Sequence, residues 1–300
     1  MFHVKQPDEL ETPLARELYE NAGRLASVES QRLPRPAKTR IFTISNQKGG
    51  VGKTTTAVNI AAALASKGLN VLVIDLDPQG NASTALGIEH HAGVQSIYEV
   101  LVGDVPLESV IKVSPEMPGL TCVPATINLT GAELELVSMV AREQRLRTAI
   151  ENYLETTMSP PDYIFIDCPP SLGLLTINAW VAAKEVLVPI QCEYYALEGV
   201  EQLENYINMI KKQLNRDLVI STVLLTMFDS RTNLATDVAN EVRNHFPSEV
   251  LNSVIPRSVR VSEAPSYGKT VISYDRRSPG AISYLEAAIE IANRGAQLGR

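Results

Sequence analysis

No stretch of this chain approaches the run of about 18 apolar residues that a membrane-spanning helix needs. The amino-terminal end, with Asp8, Glu9 and Glu11, lacks the basic-then-apolar order of a secretory leader. A cytoplasmic protein is therefore expected. Cysteine is scarce: Cys122, Cys168 and Cys192 show no C-x-x-C spacing and make no closed even set, so free thiols in a reducing compartment are expected. Positive charge is in deficit as well. A formal net charge of −7 argues against indiscriminate binding to nucleic acid, because that affinity comes mostly from neutralising phosphates. Any DNA contact must come from a local patch. Internal repeats and low-complexity segments are missing too.

What remains is a chain of 300 residues with 45% hydrophobic content, enough to bury a substantial core. Its most informative stretch runs from Ile41 to Thr56. An apolar β-branched run leads into Lys48-Gly49-Gly50-Val51-Gly52-Lys53-Thr54-Thr55 and then an alanine-rich helix. This is a strand, a phosphate loop and a helix in that order. Glycines are needed because the loop wraps a polyphosphate with its backbone N–H groups, where a Cβ would hold ligand and chain apart or block positive φ. The helix adds its positive end. Lys53 would reach the β/γ-phosphates, and the Thr54 hydroxyl would ligate Mg²⁺, which prefers oxygen donors shared with the phosphates.

Two further strands end in acids. Val71 to Asp77 is a continuous apolar strand whose carboxyl end carries two acids, Asp75 and Asp77, followed by the turn Pro78-Gln79-Gly80-Asn81. Tyr163-Ile164-Phe165-Ile166-Asp167 has a Walker B pattern, so Asp167 would hold Mg²⁺ directly or through water. Runs apolar on both faces suit buried parallel strands, whose carboxyl ends are where ligands sit. Beyond them, strands at 186–190, 218–226 and 250–255 alternate with helices at 197–214, 233–246 and 280–292. A long helix is expected over Thr130–Leu154. The fold class that follows is α/β: a mainly parallel, doubly wound P-loop NTPase sheet with helices on both faces. One domain spans about 38–300. Residues 1–37, broken from it by Pro34 and Pro36, are expected to be a mobile amino-terminal extension with a short helix.

The loop departs from the pattern G-x-x-x-x-G-K-[ST]. Gln47 stands where the first glycine belongs, and Lys48 adds a second cation at the entrance. Lys48 to Thr54, K-G-G-V-G-K-T, resembles the deviant Walker A loop of the ParA/MinD class of ATPases. The string Asp75 to Asn81, D-L-D-P-Q-G-N, and the segments 225–234 and 255–269 are similar to the chromosomal ParA (Soj) subgroup. The resemblance implies an ATPase of weak intrinsic turnover that uses ATP and Mg²⁺. Lys48 would reach across an ATP-dependent homodimer to the facing nucleotide, and Asp77 would position and activate the attacking water. The loop from Pro256 to Ser258 would border the adenine, with Ser258 where the subgroup often has asparagine. Arg231 and Arg260 would lie near a surface for non-specific double-stranded DNA. A ParB-type centromere-binding partner would stimulate hydrolysis, and the protein would associate with the nucleoid rather than a membrane.

Two other classes share the loop. A MinD-like membrane-positioning ATPase binds lipid through a basic amphipathic carboxyl-terminal helix, whereas this chain ends with few cations and few bulky apolar residues after Ala292. A nitrogenase-iron-protein-like redox protein holds an iron–sulfur cluster with cysteine thiolates, and the cysteines here sit on or beside strands instead.

Overall fold

The structure is a computed structural model that describes residues 12–194, 196–297 and 299. Among the described residues, eight strands form one sheet: β1 (Arg40–Ile44), β2 (Val71–Asp75), β3 (Lys112–Val113), β4 (Leu120–Val123), β5 (Tyr163–Asp167), β6 (Glu185–Gln191), β7 (Val219–Phe228) and β8 (Val250–Pro256). Their order is β3-β4-β2-β5-β1-β6-β7-β8, with the short edge strand β3 antiparallel to β4 and every other pairing parallel. Strands β2 and β5 are buried at every residue, as expected of strands covered on both faces.

One face of the sheet carries α2 (Lys53–Ala65), α3 (Asn81–Ala85), α11 (Val259–Glu263), α12 (Val271–Tyr274) and α13 (Pro279–Gln297). The other carries α4 (Ile97–Val102), α5 (Leu107–Val110), α6 (Leu129–Val137), α7 (Arg145–Thr156), α8 (Leu174–Ala182), α9 (Glu198–Gln213) and α10 (Asn233–His245). The parallel strands, joined by helices, put their carboxyl ends on one edge, and that edge gathers the loops of interest. Alanine serves α2 because the helix is buried all round, with small side chains letting it lie close to the sheet.

The long helix expected over 130–154 is two helices. Ala141 adopts φ +51° between them. The Asn178 side chain of α8 accepts from the Leu146 amide at 3.1 Å and donates to the Arg142 carbonyl at 2.8 Å. A side chain from another element thereby satisfies the broken ends, which periodicity along one helix does not reveal.

The amino-terminal extension, expected to be mobile, carries α1 (Pro13–Ser30) packed outside α13. Thr12 caps it, accepting from the Ala15 amide at 3.2 Å. Arg24 grips Glu286 of α13 at 2.9 and 2.6 Å, and Val28 is buried. Lys67, just past α2, donates to the carbonyls of Val28 and Glu29 at the end of α1 and of Gln31 just after it. Residues 1–11 of the extension lie outside the described residues.

Candidate functional site at the phosphate loop

The loop after β1 owes its shape to glycine where glycine is needed. Gly50 and Gly52 sit at φ +74° and +90°, in the left-handed region that a Cβ disfavours. Gly52 is the residue from which α2 starts, so the first amides of that helix face the loop. The loop is tied down from below. Asn46 donates to the Pro189 carbonyl at 2.9 Å and accepts from the Lys48 amide at 3.0 Å, and the Thr226 hydroxyl of β7 donates to the Val51 carbonyl at 2.9 Å. Beneath lies a buried polar chain in which Thr43 touches Ser45 and Cys168, and Trp180 donates to Ser45 at 2.9 Å.

Lys53 lies inside the loop, 8% exposed, with Nζ 3.4 Å from the Lys48 carbonyl. Burial lowers its pKa from the ordinary lysine value, while the nearby charges of Asp167, Cys168 and Asp77 oppose that shift. Asp167 lies at the end of β5, opposite Asp75 in β2 and Ile44 in β1. It is fully buried, and neither carboxylate oxygen has a hydrogen-bond partner among the described residues. Burial pushes its carboxyl well above the usual range. Asp75 and Asp77 add to the rise, and Thr54 and Lys53 oppose it. A buried carboxylate without donors is costly by itself, and a hard cation would satisfy it. The Thr54 hydroxyl and Asp167 are the oxygen donors that fit Mg²⁺ beside a polyphosphate.

Asp75 and Asp77 divide differently. Asp75 is fully buried and accepts from the Ser83 amide and hydroxyl at 2.8 and 2.7 Å and from the Asp77 amide at 3.2 Å. Burial raises its carboxyl to about 6. Its bonds fix the turn that carries Asp77, which is 9% exposed and accepts from the Gln79 amide at 3.0 Å. Asp75 thus acts as a bracket for Asp77, closed by Ser83 of α3.

Lys48 sits on the rim. Its Nζ is 3.2 Å from Glu193 Oε2, with the two side chains 39% and 46% exposed, and Gln191 donates to the other Glu193 oxygen. Glu193 lies far away in sequence, and no local signal announces it. Pro256 and Ser258 lie at the carboxyl end of β8, on the same sheet edge, where the Arg257 amide donates to the Phe228 carbonyl at 3.2 Å. Gly280 leaves them room, since a Cβ there would come within 2.6 Å of Val261 and 3.2 Å of the Ser258 hydroxyl. Arg231 stands on the loop before α10 and Arg260 in α11, with side chains 85% and 56% exposed. Both are paired within the chain: Arg231 with Asp229 at 2.8 and 2.7 Å, Arg260 with Glu263 at 3.2 Å and Asp275 at 3.5 Å. The site residues thus share one edge, the loop and acids in a tight cluster and the arginines at its periphery.

A family model described as an AAA domain matches residues 39–220. The sporulation initiation inhibitor protein Soj of Bacillus subtilis is 54% identical over 256 residues, which cover 85% of this chain and 99% of Soj. The chain belongs to the Soj/ParA family of chromosome-partitioning ATPases. The chromosome partitioning protein ParA of Myxococcus xanthus is 52% identical over 255 residues, covering 85% of this chain and 88% of that protein. Among solved structures, a cobyrinic acid a,c-diamide synthase from Mycobacterium smegmatis with bound ATP analog and magnesium shares 38% identity at a TM-score of 0.74. That match covers 88% of this chain and 98% of the other. The doubly wound P-loop architecture expected from the sequence is the one these Soj/ParA-like ATPases share.

Proposed function

We propose that residues 38–300 form an ATP- and Mg²⁺-dependent switch that partitions DNA, with residues 1–37 as an appendage. The observation that carries this reading is the buried carboxylate of Asp167, its oxygens without a hydrogen-bond partner among the described residues, beside Lys53 and Thr54 at the phosphate loop. Lys53 holds the β/γ-phosphates with amides of Gly49 to Thr55, and Thr54 and Asp167 hold Mg²⁺, which neutralises charge on the phosphates. Asp77, fixed by Asp75, orients and activates the attacking water. Pro256 and Ser258 border the base.

Lys48 on the rim serves the nucleotide of a second copy, so that ATP builds a homodimer and hydrolysis releases it. Two facing ATP molecules crowd negative charge that a cation from across the interface offsets. The dimer pairs two weak cationic patches that include Arg231 and Arg260, and so gains affinity for double-stranded DNA of any sequence through effective concentration. A ParB-type partner stimulates turnover, and the protein works in the cytoplasm on the nucleoid. A MinD-like role finds no support, because α13 buries its apolar face inside the chain. Among the described residues no helix is long and apolar enough to cross a membrane.

The test is steady-state ATP hydrolysis with and without duplex DNA and the partner. Asp77→Ala should keep ATP binding and ATP-driven assembly yet lose turnover, Lys48→Ala should weaken assembly, and Lys53→Ala should lose nucleotide binding. Unchanged turnover in Asp77→Ala removes that residue from the mechanism.

A further inference from the structure

Two hydrogen-bond chains leave the nucleotide site and end on the same short helix. The first runs through α2. Asn59, buried in that helix, donates to the Thr55 carbonyl at 2.7 Å and accepts from the Val271 amide at 2.8 Å, so the opening turn of α2 is bonded to the first residue of α12. The second runs through the acids. Asp75 accepts from Ser83 of α3, and beyond that helix the Leu86 carbonyl accepts from the Ser114 hydroxyl at 2.8 Å. The same hydroxyl accepts from the Glu116 amide at 3.2 Å. The Glu116 carboxylate in turn accepts from the Thr270 amide at 2.9 Å and from the Thr270 and Ser273 hydroxyls, at the start of α12. Gly87, after α3, also lies against Gly268 backbone to backbone. A Cβ on Gly87 would come within 3.1 Å of the Gly268 carbonyl, and one on Gly268 within 3.5 Å of the Gly87 Cα. Segments packed that closely do not slide past one another freely.

What α12 carries at its far end is a counter-ion of Arg260. Asp275 follows the helix directly, its amide donating to the Val271 carbonyl at 3.0 Å, and its carboxylate lies 3.5 Å from the Arg260 guanidinium. Glu263 holds the same guanidinium at 3.2 Å, but Glu263 and Arg260 belong to one helix, α11, and travel together. Asp275 does not. Movement of α12 against α11 therefore changes the number of carboxylates on Arg260 from two to one. The pair sits at the surface, and surface pairs are weak enough to be exchanged for a phosphate.

We propose that α12 is a relay between the nucleotide and the DNA patch, with Asp275 as its gate. Without ATP, α12 holds Asp275 on Arg260. ATP, gripped by the first turn of α2 and by the Asp77 turn, moves α12 and frees Arg260 for a DNA phosphate. This rests on the proposed function, and it adds a cause of ATP dependence inside each chain to the pairing of two patches in the dimer. The two-state element is the Arg260–Asp275 pair, closed on carboxylate or open to phosphate. Nucleotide and DNA bias it in the same direction, so each raises the other's affinity.

The test titrates a labelled DNA duplex by anisotropy with the full chain, at low salt, with a non-hydrolysable ATP analogue and Mg²⁺ and again without nucleotide. The quantity read is the ratio of the two affinities. Asp275→Asn keeps the shape and removes the charge, and it should raise binding mainly in the absence of nucleotide, so that the ratio falls about two- to fivefold. An equal gain in both conditions is the general effect of a lost negative charge and overturns the gate. In an Arg260→Gln background the substitution should leave the ratio unmoved, and an undiminished fall there also overturns it. Asn59→Ala cuts the bond between α2 and α12 and should lower the ratio while analogue-driven assembly persists; an unmoved ratio in a folded variant overturns the relay. Melting checks that fold, and the Asp275→Asn arm decides alone if it is lost. A wild-type chain that binds DNA equally with and without nucleotide refutes the partitioning reading itself. Nucleotide-dependent wild type with variants that match it overturns the relay alone.

Discussion

Asp167→Asn separates what the site costs from what it does. Both Asp167 oxygens are buried and without a partner among the described residues, and a buried unsatisfied group costs about 1–3 kcal/mol, more when charged. Asparagine keeps the shape, removes the charge and ends the repulsion from Asp75 and Asp77, at the loss of the attraction to Lys53. The amide is itself buried and unsatisfied, so only the part of the cost that comes from charge is relieved, a gain of roughly 1 kcal/mol that should raise the melting temperature of the nucleotide-free chain by about 2–4 °C. The pH dependence follows from the sign. The folded chain holds Asp167's carboxyl above its ordinary value, so folding favours the protonated form and the wild type loses stability as pH rises. The advantage of the variant should therefore widen from pH 5 to pH 8. Adding ATP and Mg²⁺ should reverse the ranking, because the wild type gains stability by binding and the variant has lost a ligand to the metal. Differential scanning fluorimetry in four conditions reads all of this. A variant that melts below the wild type without nucleotide, an advantage that shrinks as pH rises, or an equal Mg²⁺-dependent gain would refute the reasoning.

Thr226→Val leaves the Val51 carbonyl without its 2.9 Å donor. ATP affinity should fall about two- to tenfold in calorimetry, and unchanged affinity would show that the loop does not depend on β7. Lys67→Met removes the cation from the carbonyls that end α1. It should speed tryptic cleavage after Arg32 about fivefold, for a loss near 1 kcal/mol, with the global melting point nearly unmoved; an equal cleavage rate would deny the clamp. Burial pushes Cys168 up to about 12 and Cys192 up to about 11. At pH 8 only about one Cys168 in ten thousand is thiolate, so a thiol reagent should label the native chain only through unfolding. Labelling at the rate of free cysteine would contradict the burial.

The nucleotide loop and the acid-ended strands were legible because their signals are local. Glycine spacing, buried β-branched runs and a terminal acid each follow from the short-range geometry of strand, turn and helix. The split between α6 and α7 was not, since Asn178, from an element beyond β5, supplies the bonds that let the helix break. The Lys48–Glu193 pair joins residues 145 positions apart, and only the closeness of β1 and β6 in the sheet brings them together. Asp75 was visible as an acid but not as a bracket, because Ser83 closes the turn from the next helix. The pairing of Arg231 with Asp229 and Arg260 with Glu263 was readable from two- and three-residue spacings. If these arginines hold DNA as proposed, each must exchange carboxylate for phosphate, which favours low salt.

That exchange bears on the central claim, that ATP turns this chain into a dimer able to hold DNA. The most direct measurement is anisotropy of two unrelated labelled duplexes with the Asp77→Ala chain, in ATP and Mg²⁺, in ADP and without nucleotide, over a range of salt. Binding is predicted only with ATP, with equal affinity for both duplexes, a steep decline with salt, and loss in Arg260→Glu while ATP-driven assembly persists. Equal binding without nucleotide, or a chain that stays monomeric and free of DNA in ATP, would contradict the account.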